Sequence, residues 1–289
     1  MTPFAWDEPR TLKDAVTCLD PEDSSVRPIA GGTALMLMMK TGVFAPSRLV
    51  SLARIEPQYS QIRVDASGAL KIGAMASLSA LEQSADVAKH FPVITRTLLT
   101  LSNVRVRNVA RVGGALAHGD PHMDLPPLLA ALGAKALVVG RDGSREVAVQ
   151  NLYLGYYETV LAKDELIAEI TVPPLTGARA AYMKCTSRSA DDWPALGLAV
   201  RWDVGPASAI RNPCVIVSAA TEKVTRLPET EKVLDGSNGD ETTARRAGDA
   251  AVAEVAFLSD AHGSGAYKKE LLRVYLARAI RQARGAVAP

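Results

Sequence analysis

Two glycine pairs, each closing an apolar run, carry the most specific chemistry in this chain. The first lies in Ala30-Gly31-Gly32-Thr33-Ala34, after Val26-Arg27-Pro28-Ile29; the second lies in Val112-Gly113-Gly114-Ala115, after Asn108-Val109-Ala110-Arg111. Without a Cβ, glycine lets main-chain N–H groups crowd around one anionic group, and such a turn makes a small anion-binding concavity. Two such turns can converge on a single pyrophosphate, so a bound dinucleotide is expected in a chain that lacks a Rossmann fingerprint. A lone Gly-Gly pair is ordinary turn chemistry. The second pair gains weight from its surroundings, because residues 106–121 stay apolar with little helical or strand periodicity after the glycines. An apolar loop must satisfy its backbone polar groups somewhere, and a ligand is one candidate.

The elements that must position these pairs are legible around them. Residues 11–20 read as a short helix, and Arg27–Ala30 as a strand entering the first pair. Thr33–Lys40 reads as a helix with Thr33 as its cap, which adds the positive end of a helix dipole to the anion site. With the strand Arg48–Leu52, residues 1–55 form a small α/β unit. Ile62–Ile72 alternates around Ser67-Gly68 as a hairpin, and helices follow over Ser77–Ser84, capped by Ser77, and Pro92–Leu101. Arg107–Val112 is expected to run extended into the second glycine turn. A loop over 117–124 then leads to a helix over Leu125–Leu132 with Asp124 at its cap. Ala136–Val139 and Glu146–Val149 pair around Asp142-Gly143, and Leu166–Val172 is a strand ended by Pro173-Pro174. That Pro-Pro, with Gly177 close behind, divides a middle unit, 56–175, from a C-terminal one, 176–289. The latter has strands at Ala181–Cys185, Leu196–Trp202 and Cys214–Ala219, then helices at about 240–257 and 267–284. The class is α+β.

Bulk properties narrow the function. With 289 residues, 48% of them hydrophobic, the chain can bury an ordinary core. Its 33 basic and 31 acidic residues leave a net charge of +2, which provides no field for nucleic acid or a membrane surface. The start, Met1–Asp7, lacks the basic-then-apolar order of a secretory signal, and no run of about 18 apolar residues exists, so a cytoplasmic protein without a membrane span is expected. Cys18, Cys185 and Cys214 are too scattered for a disulfide framework or for a zinc or iron–sulfur site of the chain's own. Electron transfer here would need a bound organic cofactor or metal centres on another subunit. His118 and His122, interleaved with Asp120 and Asp124, invite a metal reading, but Gly119 and Pro121 keep both imidazoles off one helical face. They are expected to shape a loop beside the ligand, with no metal. The basic amphipathic helix at 268–281 reads as packing on its own domain, and Met36, Met38 and Met39 as core filling.

The Ala30-Gly31-Gly32-Thr33-Ala34-Leu35 turn and its Leu/Met helix resemble the first flavin motif of the medium, FAD-carrying subunits of molybdenum hydroxylases, the xanthine dehydrogenase and carbon monoxide dehydrogenase type. Arg107-Asn108, leading to Arg111-Val112-Gly113-Gly114-Ala115 and then Asp120-Pro121-His122-Met123-Asp124-Leu125-Pro126, resembles that family's second motif. The likeness spans nearly the whole chain. It implies a flavin fold of the vanillyl-alcohol-oxidase (PCMH) type, with FAD held non-covalently between the N-terminal and middle subdomains. A C-terminal domain of three strands plus helices would follow. It further implies main-chain donors to the pyrophosphate at Gly31, Gly32, Thr33, Ala34, Gly113 and Gly114, and an acid, Asp124, for the FAD hydroxyls. Ile167 would pack on the ring system. Lys184 would stand near the isoalloxazine edge, where a cation stabilises reduced, anionic flavin, and the ring of Trp193, in Asp192-Trp193, would lie close by. Two positions depart from the family's Thr-Ile-Gly-Gly-Asn. Arg111 replaces the Thr and Ala115 the Asn, which removes a side-chain donor worth about 1 kcal/mol if buried. Arg111 could compensate as a phosphate partner.

The resemblance implies an electron-transferring subunit with no general acid or base of its own. A large partner subunit would carry the molybdenum cofactor and a small one the [2Fe–2S] clusters, in a heterotrimer or a dimer of heterotrimers. Two other readings stay open. One is a self-sufficient flavin oxidase or dehydrogenase, although the histidine that often tethers flavin there has no counterpart in Ala30–Ala34. The other is a non-catalytic assembly module with a decayed flavin site, suggested by Ala115.

Overall fold

The computed structural model describes residues 3–285; Met1 and Thr2 of the N-terminal reading and residues 286–289 of the C-terminal one lie outside them. The chain begins with β1 (Ala5–Asp7), α1 (Leu12–Cys18), β2 (Val26–Ile29), α2 (Thr33–Lys40) and β3 (Arg48–Ser51). The three strands form a parallel sheet in the order β1-β3-β2. A parallel neighbour needs a crossover, and α2 supplies the one between β2 and β3. β1 escaped the sequence reading because it is three largely exposed residues with no alternation to reveal it.

Next come β4 (Ile62–Val64), β5 (Leu70–Gly73), α3 (Leu78–Gln83), α4 (Ala85–His90), α5 (Pro92–Thr100), α6 (Val104–Val109), α7 (Val112–Ala117) and α8 (Leu125–Ala131). They are followed by β6 (Lys135–Gly140), β7 (Gly143–Ala148), β8 (Tyr153–Gly155), β9 (Glu158–Thr159) and β10 (Leu166–Val172). An antiparallel sheet takes the order β4-β5-β10-β6-β7, with β10 in the middle because its Leu-Ile-Ala-Glu-Ile-Thr-Val run is apolar enough to be covered. Ser77 caps α3 as expected, its hydroxyl accepting from the Ala80 N–H at 3.0 Å.

The segment before the second glycine pair differs from expectation. Arg107–Val112 is not extended. Asn103 caps α6 by accepting from the Val106 N–H at 3.1 Å, and the chain turns at Ala110 straight into α7. Gly113 and Gly114 therefore sit within a short helix, not a turn. Tertiary packing overrides their poor helix propensity: Val112 and Leu116 on α7 are completely buried, and each such side chain contributes about 1.5–3 kcal/mol.

The C-terminal part has β11 (Ala178–Cys185), β12 (Leu196–Val204), β13 (Ile210–Ser218), β14 (Thr225–Arg226), α9 (Pro228–Leu234), α10 (Glu241–Glu254) and α11 (Gly265–Ala283). Its antiparallel sheet runs β11-β12-β13-β14. The expected set of three strands thus gains a fourth, β14, two residues long and too short for a periodic signal. Leu272, Leu276, Ala279 and Ile280 bury one face of α11 within its own domain. The overall class is α+β, as expected.

Candidate cofactor-binding site

A cleft of about 490 Å³ opens between the N-terminal and middle units and reaches the β11–β12 connection. Ala30, Gly31, Gly32, Thr33, Ala34, Leu35, Arg111, Gly113, Gly114, Ala115, Asp124, Ile167 and Trp193 all line it. The two glycine motifs, about eighty residues apart in sequence, do converge. Of the expected site residues, Val112 and Lys184 stand outside the cleft wall. Val112 is buried in the middle core, and Lys184 is engaged elsewhere.

Gly31 is where the two motifs touch. A Cβ there would stand 2.2 Å from the Val109 carbonyl oxygen and 2.8 Å from the Ala110 Cα, both backbone atoms, so only glycine permits the approach. Gly32 adopts φ +70°, the left-handed region that favours glycine, and is itself the cap of α2. Thr33, expected to cap, is the first helical residue and makes no capping bond. As a result the helix end stays uncapped. The first internal bond runs from the Met36 N–H to the Gly32 carbonyl, and among the described residues the N–H groups of Gly31, Gly32, Thr33, Ala34 and Leu35 have no acceptor. Five consecutive donors at the positive end of a helix dipole suit an anion.

The second motif contributes less main chain than expected. The Gly113 N–H is bound to the Ala74 carbonyl at 2.8 Å, so it is not free for a pyrophosphate. A Cβ at Gly113 would lie 2.6 Å from the Ala74 Cβ, and its glycine serves the close packing of α7 on the end of β5. Val112 and Ala115 also spend their N–H groups, on the Ala76 and Arg111 carbonyls. Among the described residues the Gly114 N–H has no acceptor, nor has that of Arg111, and nothing lies within 4 Å of where the Gly114 Cβ would be. Beside it, the Arg111 Nε is buried without a partner. A buried guanidinium N–H left unpaired is costly unless a ligand completes it. The uncapped donors, the space at Gly114 and the orphaned Arg111 together fit a diphosphate.

Asp124 is the residue before α8, but it does not cap it. Pro126 and Pro127 occupy the positions whose N–H groups a cap would bind, and proline has none. Its carboxylate instead accepts from the Tyr182 hydroxyl at 2.6 Å and from Lys184 Nζ at 3.1 Å. Lys184 also donates to the Thr100 carbonyl at 2.7 Å and the Asp192 carbonyl at 3.2 Å. All three ammonium protons are thus used, and Lys184 positions Asp124 and the loop before Trp193. Burial pushes the Asp124 carboxyl upward, with Lys184 and Tyr182 restraining the rise. Trp193 is half exposed at the cleft mouth, whereas Ile167 is buried at a bulge in β10.

Some lining residues had no role in the sequence reading. Tyr157, at φ +58°, lines the cleft and hydrogen-bonds Asp120 at 3.3 Å. Arg27 lines it too, its guanidinium 5.8 Å from the Phe44 ring centroid. His122, read only as loop structure, is hydrogen-bonded through Nδ1 with Asp120 and through Nε2 with Asp260, each at 3.0 Å. Asp260 lies 138 residues away, a pairing without any local signal. Among the described residues no group of three or more His, Cys, Asp or Glu is arranged to hold a metal ion, and no helix is long and apolar enough to cross a membrane.

Comparison with known proteins agrees with this geometry. Residues 2–175 match the model of the FAD binding domain in molybdopterin dehydrogenase, and residues 180–283 match the CO dehydrogenase flavoprotein C-terminal domain. The chain is 33% identical to the carbon monoxide dehydrogenase medium chain of Afipia carboxidovorans, over 97% of this chain and 96% of that one. It is 29% identical to the nicotine 6-hydroxylase medium subunit of Paenarthrobacter nicotinovorans, over 95% of each. The solved structure of reconstituted CO dehydrogenase from Oligotropha carboxidovorans superposes with a TM-score of 0.93 at 31% identity, covering 99% of both chains. An uncapped helix end, a converging second motif and an end-to-end match lead to one family: the chain belongs to the FAD-binding medium subunits of molybdenum hydroxylases of the carbon monoxide dehydrogenase type.

Proposed function

We propose that the chain holds FAD non-covalently and passes electrons, received from [2Fe–2S] clusters on a small partner subunit, to a terminal acceptor. Substrate oxidation then belongs to a molybdenum cofactor on a large partner subunit, and the complex is a heterotrimer or a pair of them. When bound, FAD supplies the exchange between one-electron and two-electron chemistry. The chain's own residues bind and orient. The free N–H groups of Gly31–Leu35 hold one side of the diphosphate, and the Gly114 N–H and Arg111 guanidinium hold the other. Asp124, positioned by Lys184 and Tyr182, is available to hydroxyl donors, and Ile167 and Trp193 offer apolar surface to a planar ring.

The observation that carries this reading is the row of unpaired donors facing an orphaned arginine across an open cleft. That openness counts against a decayed site. The test is a titration of the full chain with FAD, FMN and ADP, followed by flavin fluorescence. FAD should bind most tightly, ADP should compete, and denaturation should release all of the flavin. Equal affinity for FMN and FAD would refute the diphosphate assignment, and flavin retained after denaturation would refute non-covalent binding.

A further inference from the structure

His122 lies within a charged array, buried except at Asp260, that joins the cleft to the C-terminal domain. Its side chain is 5% exposed, between Asp120, whose side chain is wholly buried, and Asp260. The remaining contacts of both carboxylates are donors. Asp120 also accepts from the His122 main-chain N–H at 2.9 Å and the Tyr157 hydroxyl at 3.3 Å. Asp260 also accepts from Lys268 Nζ at 2.6 Å and the His262 N–H at 2.8 Å. Both carboxylates are thus surrounded by donors, and a carboxyl is a stronger acid than an imidazolium, so the proton shared at each 3.0 Å contact belongs on the ring nitrogen. Both nitrogens of the imidazole are then protonated.

The array is asymmetric as seen from the cleft. His122 lines the cleft, but Asp120, Asp260 and Lys268 do not. The imidazole ring lies 6.2 Å from the Trp193 ring at an interplanar angle of 26°, with Tyr156 edge-on at 6.2 Å and His262 at 5.1 Å. Lys268, fully buried, is further tied to the Ala219 carbonyl at 2.9 Å, which fixes Asp260 from behind. The cation therefore borders the ligand space while its counter-charges stand outside the cleft wall. In a low-dielectric site such a charge favours whichever ligand state is more negative.

We propose that Asp120 and Asp260 clamp His122 as an imidazolium across two domains, and that this cation makes a flavin bound in the cleft easier to reduce. The redox half rests on the proposed function; the clamp does not. His122 is a positioning and tuning residue, with no bond to make or break. The groups facing it are Asp120, Tyr156 and Tyr157 from the middle domain, and Asp260, His262 and Lys268 from the C-terminal one.

Two measurements on the full chain test this. In ring-nitrogen NMR of the ligand-free protein, the His122 signal, assigned by its loss in His122→Gln, should show both nitrogens protonated at pH 7. Asp260→Asn should lower the pH at which that ring titrates. A singly protonated His122 at pH 6 overturns the clamp. In a dye-coupled reductive titration at pH 6, FAD-loaded His122→Gln should have a more negative midpoint than wild type. The expected shift corresponds to at least a tenfold change in the oxidised-to-reduced equilibrium, about 30 mV for two electrons. An unchanged midpoint with FAD retained overturns the redox half. A wild-type chain that takes up no FAD refutes the proposed function and with it the redox half, while the ring-nitrogen spectra still decide the clamp.

Discussion

Alanine at Gly31 and alanine at Gly114 should have opposite effects on the empty protein and the same effect on flavin binding. At Gly31 the new methyl would stand 2.2 Å from the Val109 carbonyl oxygen. Non-bonded heavy atoms settle near 3.5 Å, so the two motifs must part by more than an ångström. The obstructing atoms are backbone and cannot rotate away, which places the cost at the upper end of the roughly 1–3 kcal/mol typical of overpacking. At Gly114 the methyl meets nothing within 4 Å, and replacing glycine inside α7 should stabilise the helix by about 0.5–1 kcal/mol. The same methyl, however, projects where the free Gly114 N–H faces the cleft. Obstructing one charge-assisted hydrogen bond costs about 1.5–3 kcal/mol, a loss of roughly ten- to hundredfold in FAD affinity. Urea unfolding of the ligand-free variants and FAD titration of each provide the two axes. A Gly114→Ala protein that is less stable than wild type, or that binds FAD as tightly, would refute the reasoning about that wall of the cleft.

Three further outcomes are expected. Arg111→Met should weaken FAD binding about tenfold or more without lowering ligand-free stability, because the guanidinium Nε has no partner to lose; calorimetric FAD affinity beside thermal unfolding checks this. Lys184→Met should destabilise the fold by about 3–5 kcal/mol, since it strands a buried Asp124, and Asp124→Asn in that background should recover part of the loss in chemical denaturation. The His122 clamp should give stability a pH window. Burial opposes the imidazolium, but its hydrogen bonds to both aspartates outweigh this and raise the ring above its ordinary 6.5, so its contribution is complete below 6.5 and lost as pH rises through the raised value. Burial likewise opposes the Asp260 carboxylate, and Lys268 and His122 hold it down at about 2, so its contribution is complete above its ordinary 3.8 and lost as pH falls toward 2. The stability difference between wild type and His122→Gln should therefore be greatest near pH 5 and shrink by pH 9 in urea titrations; a difference that does not vary with pH would remove the charge from the account.

What the sequence determined by itself was local. Ser77 announces a cap, Asp142-Gly143 a hairpin, and Leu166–Val172 a strand, because each depends on neighbours within one or two turns of chain. The helix after the first glycine pair is legible in the same way, but its opening residue is not: Thr33 reads as the cap, whereas Gly32 at φ +70° takes that place and leaves the end uncapped. Tertiary structure decided the rest, since it depends on segments that sequence spacing does not relate. Gly113 is a packing residue only because Ala74 lies against it, and α7 is helical only because the core buries Val112 and Leu116. Asp124 looked like a cap until Tyr182 and Lys184 took its oxygens, although the two prolines after it already denied it the N–H groups. His122 acquires its charge from a carboxylate 138 residues away. Short-range spacing encodes backbone conformation, but the protonation state of a buried side chain is set by whichever groups the folded chain brings against it.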